Sequence, residues 1–374
     1  MRIAIDAHSV GTGLGGNETY ATNLIEALAD VDSSNQYTVY VTTREARERF
    51  SNRWPNFTVR STRPHTPLIR IPLTLSAEIR RRPVDVLHVQ YTAPLLVPCP
   101  VVATIHDLAF EHLPETFKRR SWMQMRMTVR HTAKTAAHII TGSEFSRQDI
   151  IDTYKVSPSR ITVTPEAAPA VFAPANQAEI ERVRRAYGID DEYVLAVGSI
   201  QPRKNLVRLM AAYSHLRRRS PQAKLPRLVL VGKCAWLYNE TLRSIDELEL
   251  QKSVTLTGYV PESDLPGLYS GALCFVYPSY FEGFGLPPLE AMKCGAAVIV
   301  GNKTSLPEVV GDAAVLVDPF DVSAIGSAIE SVITDSSLRA SLQAKGLERA
   351  KLFDWRETAR KTLAIYEKVV CENS

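Results

Sequence analysis

Short runs of apolar residues alternate along almost the whole chain with segments in which apolar residues recur at helical spacing. Continuous apolar runs are typical of strands in a sheet that is covered on both faces, so these runs predict parallel strands. The segments between them, such as residues 17–28, 205–217 and 322–334, complete β-α-β units. The predicted strands are residues 2–6, 37–42, 84–89, 101–106, 138–141 and 161–164 in the first half, and 193–197, 227–231, 253–257, 273–277, 297–300 and 314–317 in the second half.

A proline-rich segment separates the two halves of this pattern. Pro165, Pro169 and Pro174 lie in a stretch rich in alanine, and neither helical nor strand periodicity continues through it. Each half begins alike, with a strand, a loop that contains glycine and then a helix. The pattern therefore predicts an α/β chain of two Rossmann-like, doubly wound parallel-sheet domains facing a cleft, with the first domain at residues 1–168.

Length and composition agree with two globular domains. The 374 residues exceed the roughly 250–300 at which single cores stop growing. The 45% hydrophobic and 22% charged residues are ordinary for a globular protein and exclude disorder. No apolar run reaches the ~18–20 residues that span a bilayer, and the first residues do not resemble a signal peptide. The five cysteines are scattered without a Cys-x-x-Cys pair, which argues against disulfides and zinc and favours the cytoplasm.

The charge of the chain argues against nucleic acid as a partner and leaves contact with a membrane surface open. Lys and Arg number 44 against 40 Asp and Glu, and this small excess does not predict binding to nucleic acid. Basic runs at residues 118–120 and 217–219 are typical of solvated helix ends. In residues 115–130, however, cations accompany a helical stripe of Trp122, Met125 and Val129. The stripe is compatible with packing on the sheet, or with a peripheral contact to the inner face of the cell membrane.

The first candidate for ligand binding is a glycine-rich loop after the strand that ends at Asp6. Gly11, Gly13, Gly15 and Gly16 allow backbone amides to approach a ligand closely, and the following helix N-terminus favours an anion. The loop does not match the dinucleotide fingerprint, because no glycine stands three places after Gly13. A plain tight turn is an equally good interpretation.

Charged residues also follow the apolar strands in two other places. Arg203 and Lys204 stand between a strand and a helix, where two cations suit a phosphate or diphosphate. Without an anion, cations at a helix N-terminus oppose the helix dipole. His106 and Asp107 follow another strand and would lie at the ligand-binding edge of the first sheet. A buried histidine satisfied by a backbone group is the alternative for His106.

Residues 277–292 carry the most informative pattern. A strand ends near Tyr277, a glycine-rich turn follows, and Pro287 and Pro288 open a helix. The backbone amides of the turn would then face an anion. Glu282 and Glu290 flank the turn, and carboxylates suit sugar hydroxyls because each accepts several hydrogen bonds.

Together these residues resemble the retaining glycosyltransferases of family 4, which have the GT-B fold and include sucrose synthase, sucrose-phosphate synthase and bacterial mannosyltransferases. The resemblance covers nearly the whole chain, and Glu282-x7-Glu290 is its most specific motif. One departure is Thr-Pro-Glu-Ala-Ala at residues 164–168, where many members carry Asn-Gly or a similar turn. The other matching motifs are Gly15-Gly16 with Tyr20, His106-Asp107, Gly142-Ser143-x-x-Ser146, and Gly198-Ser199 with Arg203-Lys204-Asn205.

The resemblance implies roles for particular residues. It implies an enzyme that needs neither a metal ion nor a cofactor. It also implies a second domain at residues 169–355, followed by a C-terminal helix, residues 356–374, that crosses back to the first domain. Tyr20 and Asp107 would lie on the acceptor side. The implied catalytic residues are His106, Glu282, Arg203 and Lys204, and the implied donor-binding residues are Gly15, Gly16, Gly198, Ser199, Arg203, Lys204, Val260, Glu282, Gly283, Phe284, Gly285, Leu286 and Glu290.

The similarity around residues 275–289 and 306–318 favours GDP-mannose as the nucleotide sugar. The acceptor would be a saccharide or a lipid-linked saccharide in polysaccharide or glycoconjugate biosynthesis. Three alternatives stay open: a UDP-glucose-dependent glucosyltransferase, a nucleotide-sugar 2-epimerase of the same architecture, and a non-enzymatic nucleotide-sugar-binding scaffold. Asp30-Val31-Asp32 is interpreted as a turn at a helix end and not as a metal-binding motif.

Overall fold

The computed structural model describes residues 1–13, 15–219, 225–233 and 238–373. The chain divides into two compact units. The first unit combines Met1–Glu166 with Asp354–Ser374, and the second is the continuous segment Ala167–Phe353. Cys99, Cys274, Cys294 and Cys371 are free thiols, while Cys234 lies outside the described residues.

The first unit is built on a parallel sheet that has seven strands in the part of the chain described. The strand order is β3-β2-β1-β4-β5-β6-β7, so the order reverses between β1 and β4. Such a switch point is where open α/β sheets bind their ligands. The strands are β1 (Arg2–Asp6), β2 (Gln36–Val41), β3 (Phe57–Ser61), β4 (Val86–Gln90), β5 (Val101–Thr104), β6 (His138–Thr141) and β7 (Ile161–Val163).

Helices cover both faces of this sheet. Ala4, Leu87 and Ala103 of the strands share a buried cluster with Ile79 and Val129 of the helices. A π-helical segment, Arg70–Leu75, joins two of the helices. The helices are α1 (Gly16–Val31), α2 (Arg44–Phe50), α3 (Pro67–Ile69), α4 (Ser76–Arg81), α5 (Ala109–His112), α6 (Arg119–Thr135) and α7 (Glu144–Tyr154).

The second unit contains a parallel sheet of six strands, counted over the described ranges. Its order is β10-β9-β8-β11-β12-β13, with the reversal between β8 and β11. Leu195 and Val197 of β8 face one buried cluster, and Val194 and Ala196 face another. Burial on both faces explains why this strand is apolar throughout. The strands are β8 (Tyr193–Val197), β9 (Arg227–Val231), β10 (Val254–Gly258), β11 (Cys274–Tyr277), β12 (Val298–Gly301) and β13 (Ala314–Val317).

The helices of the second unit are capped in part by acidic side chains. The carboxylate of Asp321 accepts from the amides of Ser323 and Ala324, and that of Asp335 accepts from Leu338. The helices are α8 (Gln177–Ala186), α9 (Leu206–Arg219), α10 (Asn239–Glu247), α11 (Leu265–Ser270), α12 (Leu286–Lys293), α13 (Leu306–Val310), α14 (Val322–Thr334) and α15 (Ser336–Ala350).

The last helix, α16 (Trp355–Asn373), belongs to the first unit and packs against α1. Thr358 Oγ1 donates a hydrogen bond to the carbonyl of Pro165. Within the described residues, no helix is both long enough and apolar enough to cross a membrane.

The predicted doubly wound parallel sheets are confirmed. Each predicted strand is present, and its ends differ from the prediction by at most a few residues. The sequence pattern did not predict β3, an edge strand whose Thr58 and Ser61 are exposed, because an edge strand lacks a continuous apolar run. Asp32 caps the end of α1, as expected for a turn, and its carboxylate accepts hydrogen bonds from Ser34 and Tyr37.

Candidate functional site

The charged cluster of the second unit lies beyond the adjacent strands β8 and β11. Arg203 and Lys204 occupy a 3-10 turn, Pro202–Lys204, that follows β8, and Glu282 follows β11. Arg203 Nη1 lies 3.0 Å from Glu282 Oε2, and Lys204 Nζ lies 2.7 Å from Glu282 Oε1. The structure therefore brings together three of the four predicted catalytic residues.

Glu282 is buried but ionised. Burial alone would raise its pKa, but Arg203 and Lys204, together with hydrogen bonds from Lys204 and Ser279, lower that pKa to about 2. Ser279 Oγ and Tyr277 OH donate to the carboxylate at 2.6 and 2.9 Å. Two cations against one carboxylate leave the cluster with a net positive charge, which suits an anionic ligand.

Hydrogen bonds to the backbone fix the shape of the loops around this cluster. Asn205 adopts a left-handed conformation, and its side-chain amide donates to the carbonyls of Pro278 and Pro319. A Cβ atom on Gly232 would lie 2.0 Å from the carbonyl oxygen of Gly198, so glycine is required where these two loops meet. Ser199, predicted to bind the donor, is exposed beside Gly198.

The turn at residues 283–286 leads into α12 as predicted. Gly285 has a φ of 118°, and a Cβ atom there would lie 2.8 Å from Leu306 Cδ2. Ser305 Oγ lies 2.9 and 2.7 Å from the carbonyl oxygens of Glu282 and Phe284, and its one proton, donated there, holds the turn in place. The side chains of Phe284 and Leu286 are buried in the core of the second unit, as is that of Val260. Ligand contacts by these three residues are therefore expected from their backbone atoms.

Glu290 lies on α12 in a different electrostatic environment from Glu282. Tyr269 OH donates to Glu290 Oε2 at 3.0 Å. Burial raises the pKa of Glu290 to about 7, and the hydrogen bond from Tyr269 only partly opposes this effect. The charges of Glu282 and Glu290 both contribute to raising the pKa of Tyr277, so the two carboxylates lie near a common point.

In the first unit, His106 follows β5 and contacts several side chains. Its Nε2 lies 2.9 Å from Gln90 Oε1, and its Nδ1 lies 3.1 Å from Glu166 Oε1. Ser146 Oγ, at the end of the Gly142-Ser143-x-x-Ser146 motif, donates to the backbone carbonyl of His106 at 3.0 Å. Sequence reasoning did not place Gln90 or Glu166 in the site, because these contacts depend on tertiary structure.

The two predicted acceptor-side residues are both engaged within the first unit. Tyr20 is buried, its hydroxyl lies 2.8 Å from Thr104 Oγ1, and its ring packs edge-on to His106 at 4.7 Å. Asp107 Oδ1 accepts from the backbone amide of Ala109 at 3.0 Å. Tyr20 thus packs against His106, and its ring is buried within the first unit.

The glycine-rich loop differs from the expectation of an open anion site. Glu18 of α1 folds back, and its carboxylate accepts from the amides of Gly11 and Gly13 at 2.8 and 2.7 Å. A side chain of the protein therefore already binds these two amides. Gly15 and Gly16 lie at the exposed start of α1, with open space where a Cβ atom would be.

Among the described residues, no group of three or more His, Cys, Asp or Glu side chains is arranged to hold a metal ion. The arrangement in the second unit can nevertheless bind a diphosphate through cations and a ribose or sugar through carboxylates.

Comparison with known sequences matches both halves of the chain to protein families. Residues 14–170 match Glycosyltransferase Family 4, and residues 179–349 match Glycosyl transferases group 1. O-antigen chain mannosyltransferase B of Escherichia coli is 37% identical over 267 residues, which are 71% of this chain and 70% of that protein. The serotype-specific mannosyltransferase WbdA of Escherichia coli is 32% identical over 70% of this chain, but the match spans only 33% of its own length.

Known structures share the fold of this chain at low sequence identity. A sucrose-phosphate synthase from Thermosynechococcus elongatus has a TM-score of 0.78 at 20% identity, and the match covers 100% of both chains. WaaG, a glycosyltransferase involved in lipopolysaccharide biosynthesis, has a TM-score of 0.76 at 17% identity over 97% of this chain and 99% of its own. The fold is therefore GT-B, and the family matches and the 37% identical relative establish that the chain belongs to the family 4 glycosyltransferases.

Proposed function

We propose that this glycosyltransferase transfers a mannosyl residue from GDP-mannose to a saccharide or a lipid-linked saccharide in polysaccharide biosynthesis. The two Escherichia coli relatives described above are mannosyltransferases by name, one of them acting on the O-antigen chain, and this supports mannose as the sugar. The observation that carries the proposal is the Arg203, Lys204 and Glu282 cluster, whose net positive charge suits the diphosphate of a nucleotide sugar.

The proposed role of Arg203 and Lys204 is to stabilise the departing nucleoside diphosphate. Negative charge grows on that group as the glycosidic bond breaks, and preorganised cations stabilise it without reorganisation. Glu282 holds both cations in place by ion pairs of 3.0 and 2.7 Å. We propose that the cations thereby perform the charge balancing that a metal ion performs in other glycosyltransferases, so that activity needs no metal or other cofactor.

We also propose that transfer occurs with retention, on one face of the sugar. Glu282 is a poor candidate for a covalent nucleophile, because Arg203, Lys204, Ser279 and Tyr277 all engage its carboxylate. The departing phosphate would then accept the proton of the attacking hydroxyl. Glu290 is proposed to bind the ribose hydroxyls, and His106 is proposed to contact the transferred sugar.

A panel of nucleotide sugars tests the proposal. The protein is incubated with GDP-mannose or UDP-glucose and a simple mannoside or a lipid extract as acceptor, and the released nucleoside diphosphate is measured. We expect GDP release from GDP-mannose to be the fastest reaction. Preferential release of UDP would instead indicate a glucosyltransferase, and a changed nucleotide sugar without release would indicate an epimerase.

We further propose that the protein acts in the cytoplasm, in peripheral contact with the inner face of the cell membrane. The predicted stripe does not supply this contact, because Val129 is buried and Trp122 and Met125 pack partly buried against the core. The opposite face of α6 supports it instead. Met123 and Met127 are 49% and 72% exposed there. The basic residues Arg119, Arg120, Arg126 and Arg130 of the helix, and Lys118 just before it, are also exposed.

A further inference from the structure

The ring of His106 has a hydrogen-bonding partner at each nitrogen. Nδ1 lies 3.1 Å from Glu166 Oε1, and Nε2 lies 2.9 Å from Gln90 Oε1. A neutral histidine has one donor nitrogen and one acceptor nitrogen, whereas the charged ring has two donors. The partners therefore determine which form of the ring the site holds.

A chain of hydrogen bonds sets the orientation of Gln90. Ser9 Oγ donates its single proton to the carbonyl of Asn17 at 3.1 Å. The same oxygen can then only accept from Gln90, whose Nε2 lies 3.1 Å away. Gln90 must consequently turn its Oε1 acceptor towards His106, so Nε2 of the ring carries a proton.

Glu166 determines the state of the other ring nitrogen. Its buried side chain faces His106 Nδ1, and histidine is the stronger base of these two residue types. A proton shared by the pair therefore resides on Nδ1, and the carboxylate accepts it. Both nitrogens are then donors, and the ring is positively charged.

The other groups around the ring do not compete for this role. Burial lowers the pKa of His88 to about 3, and the proximity of His106 adds to this shift, so His88 is neutral. Burial raises the pKa of Tyr20, which keeps its phenol neutral. The ring centroid of Tyr91 lies 5.5 Å from that of His106, with the two rings tilted, and Asp107 accepts from the amide of Ala109.

We propose that Glu166 is a positioning residue that keeps His106 doubly protonated, so that His106 acts as a cationic hydrogen-bond donor and not as a general base. Glu166 lies in the Thr-Pro-Glu-Ala-Ala segment at residues 164–168, where this chain differs from many family members. The proposed role of Glu166 therefore belongs to a segment that is not typical of the family. The effect on catalysis rests on the proposed function of His106, whereas the charge state of the ring does not.

Nuclear magnetic resonance of the full chain with labelled histidine rings tests the charge state directly. The His106→Gln variant assigns the ring signals. At pH 7.5 we expect both His106 nitrogens to be protonated in the wild type, and one to lose its proton in Glu166→Gln. Asp149→Asn is a matched control, since Asp149 also accepts from a histidine, His112, at 2.7 Å. A neutral His106 ring in the wild type would overturn the proposal, even if Glu166→Gln failed to fold.

The pH profile of the transfer reaction separates positioning from a merely structural role. In Glu166→Gln we expect near-wild-type kcat at pH 6 and a roughly tenfold loss by pH 7.5, because an unassisted histidine loses its proton near pH 6.5. The wild type should stay nearly constant over this range. An equal loss at both pH values would contradict the proposal. If no mannosyl transfer is detected at all, the resonance experiment still decides the charge state.

Discussion

In the proposed function, different side chains of the second unit bind different parts of the donor. Lys204 is buried, and its ammonium group donates to Glu282 and to the hydroxyl of Tyr277. These contacts fix the ammonium group, so Lys204 would lose little conformational freedom on binding a phosphate. This arrangement is typical of a preorganised electrostatic site, in which the cation is fixed before the substrate arrives.

Replacing Lys204 with Ala should lower kcat by roughly 10²-fold, the usual effect of removing one preorganised electrostatic group. Initial rates of nucleoside diphosphate release measure this effect. Lys345→Ala is a matched control, because Lys345 pairs with Asp312 on the surface of the same unit. Full activity of Lys204→Ala, or complete loss of wild-type activity with EDTA, would contradict metal-independent charge balancing.

Because Glu290 is proposed to bind the ribose, its raised pKa should make nucleotide binding depend on pH. A carboxylate accepts hydrogen bonds from both ribose hydroxyls, and a pKa of about 7 leaves Glu290 mostly protonated at pH 6 and mostly ionised at pH 8. The affinity for GDP should therefore rise by up to about tenfold from pH 6 to pH 8, following the ionised fraction.

Calorimetry with GDP checks this prediction. Glu290→Gln should weaken binding and remove the part of the pH dependence that belongs to this residue. His106→Ala, as a comparison, should leave GDP binding unchanged while lowering turnover. If Glu290→Gln kept the wild-type affinity and pH profile, Glu290 would not contact the ribose.

Residues at strand ends could be predicted from the sequence, whereas contacts between distant residues could not. Arg203, Lys204 and Glu282 follow adjacent strands, so the topology alone brings them near each other. Glu18 binds the amides of Gly11 and Gly13, which adopt positive φ angles that the sequence permits without requiring. The pairing of His106 with Glu166 spans 60 positions and needs the folded unit.

At the scale of elements, burial in α6 favours packing on the sheet over membrane contact as the role of the apolar stripe in residues 115–130. Trp122, Met125 and Val129 form an evident apolar stripe, and that stripe packs towards the core. The exposed Met123 and Met127 lie four positions apart among cations, so they form a second, weaker stripe. Periodicity predicted the helix, but burial was needed to assign its faces.

The exposed face of α6 should bind vesicles that contain anionic lipid. We expect co-sedimentation to increase with the anionic fraction and to decrease with salt, since each cation near such a surface contributes about 1 kcal/mol. Changing Lys118, Arg119 and Arg120 together to Glu should abolish binding. The same change at Arg217, Arg218 and Arg219 of α9 is a control with equal charge. A wild type that stays in the supernatant at low salt would rule out the membrane contact.

At the scale of the molecule, the first unit is assembled from two distant parts of the chain. Tyr366 of α16 contributes its hydroxyl to His88 Nδ1, and His88 Nε2 lies 2.7 Å from Thr104 Oγ1, which also contacts Tyr20. A buried polar network thus connects the last helix to the side chains that pack against His106. Leaving one such buried group without a partner costs about 1–3 kcal/mol.

Tyr366→Phe should therefore destabilise the first unit by about 1–3 kcal/mol, because His88 Nδ1 loses its partner in a buried site. Urea unfolding, followed by a spectroscopic probe in the first unit, measures this loss of stability. Tyr259→Phe serves as the control, since Tyr259 is 62% exposed in the second unit and should change stability little. Equal stability of Tyr366→Phe and the wild type would mean that the network does not hold α16.

The division of the chain also determines the order in which the protein is completed during synthesis. Domains generally fold as units as the chain leaves the ribosome. The second unit, Ala167–Phe353, is continuous and emerges whole, while the first unit still lacks α16 at that moment. Of the two units, the one whose synthesis begins first is therefore completed second, and until then α1 exposes to solvent, or to a chaperone, the surface that α16 will cover.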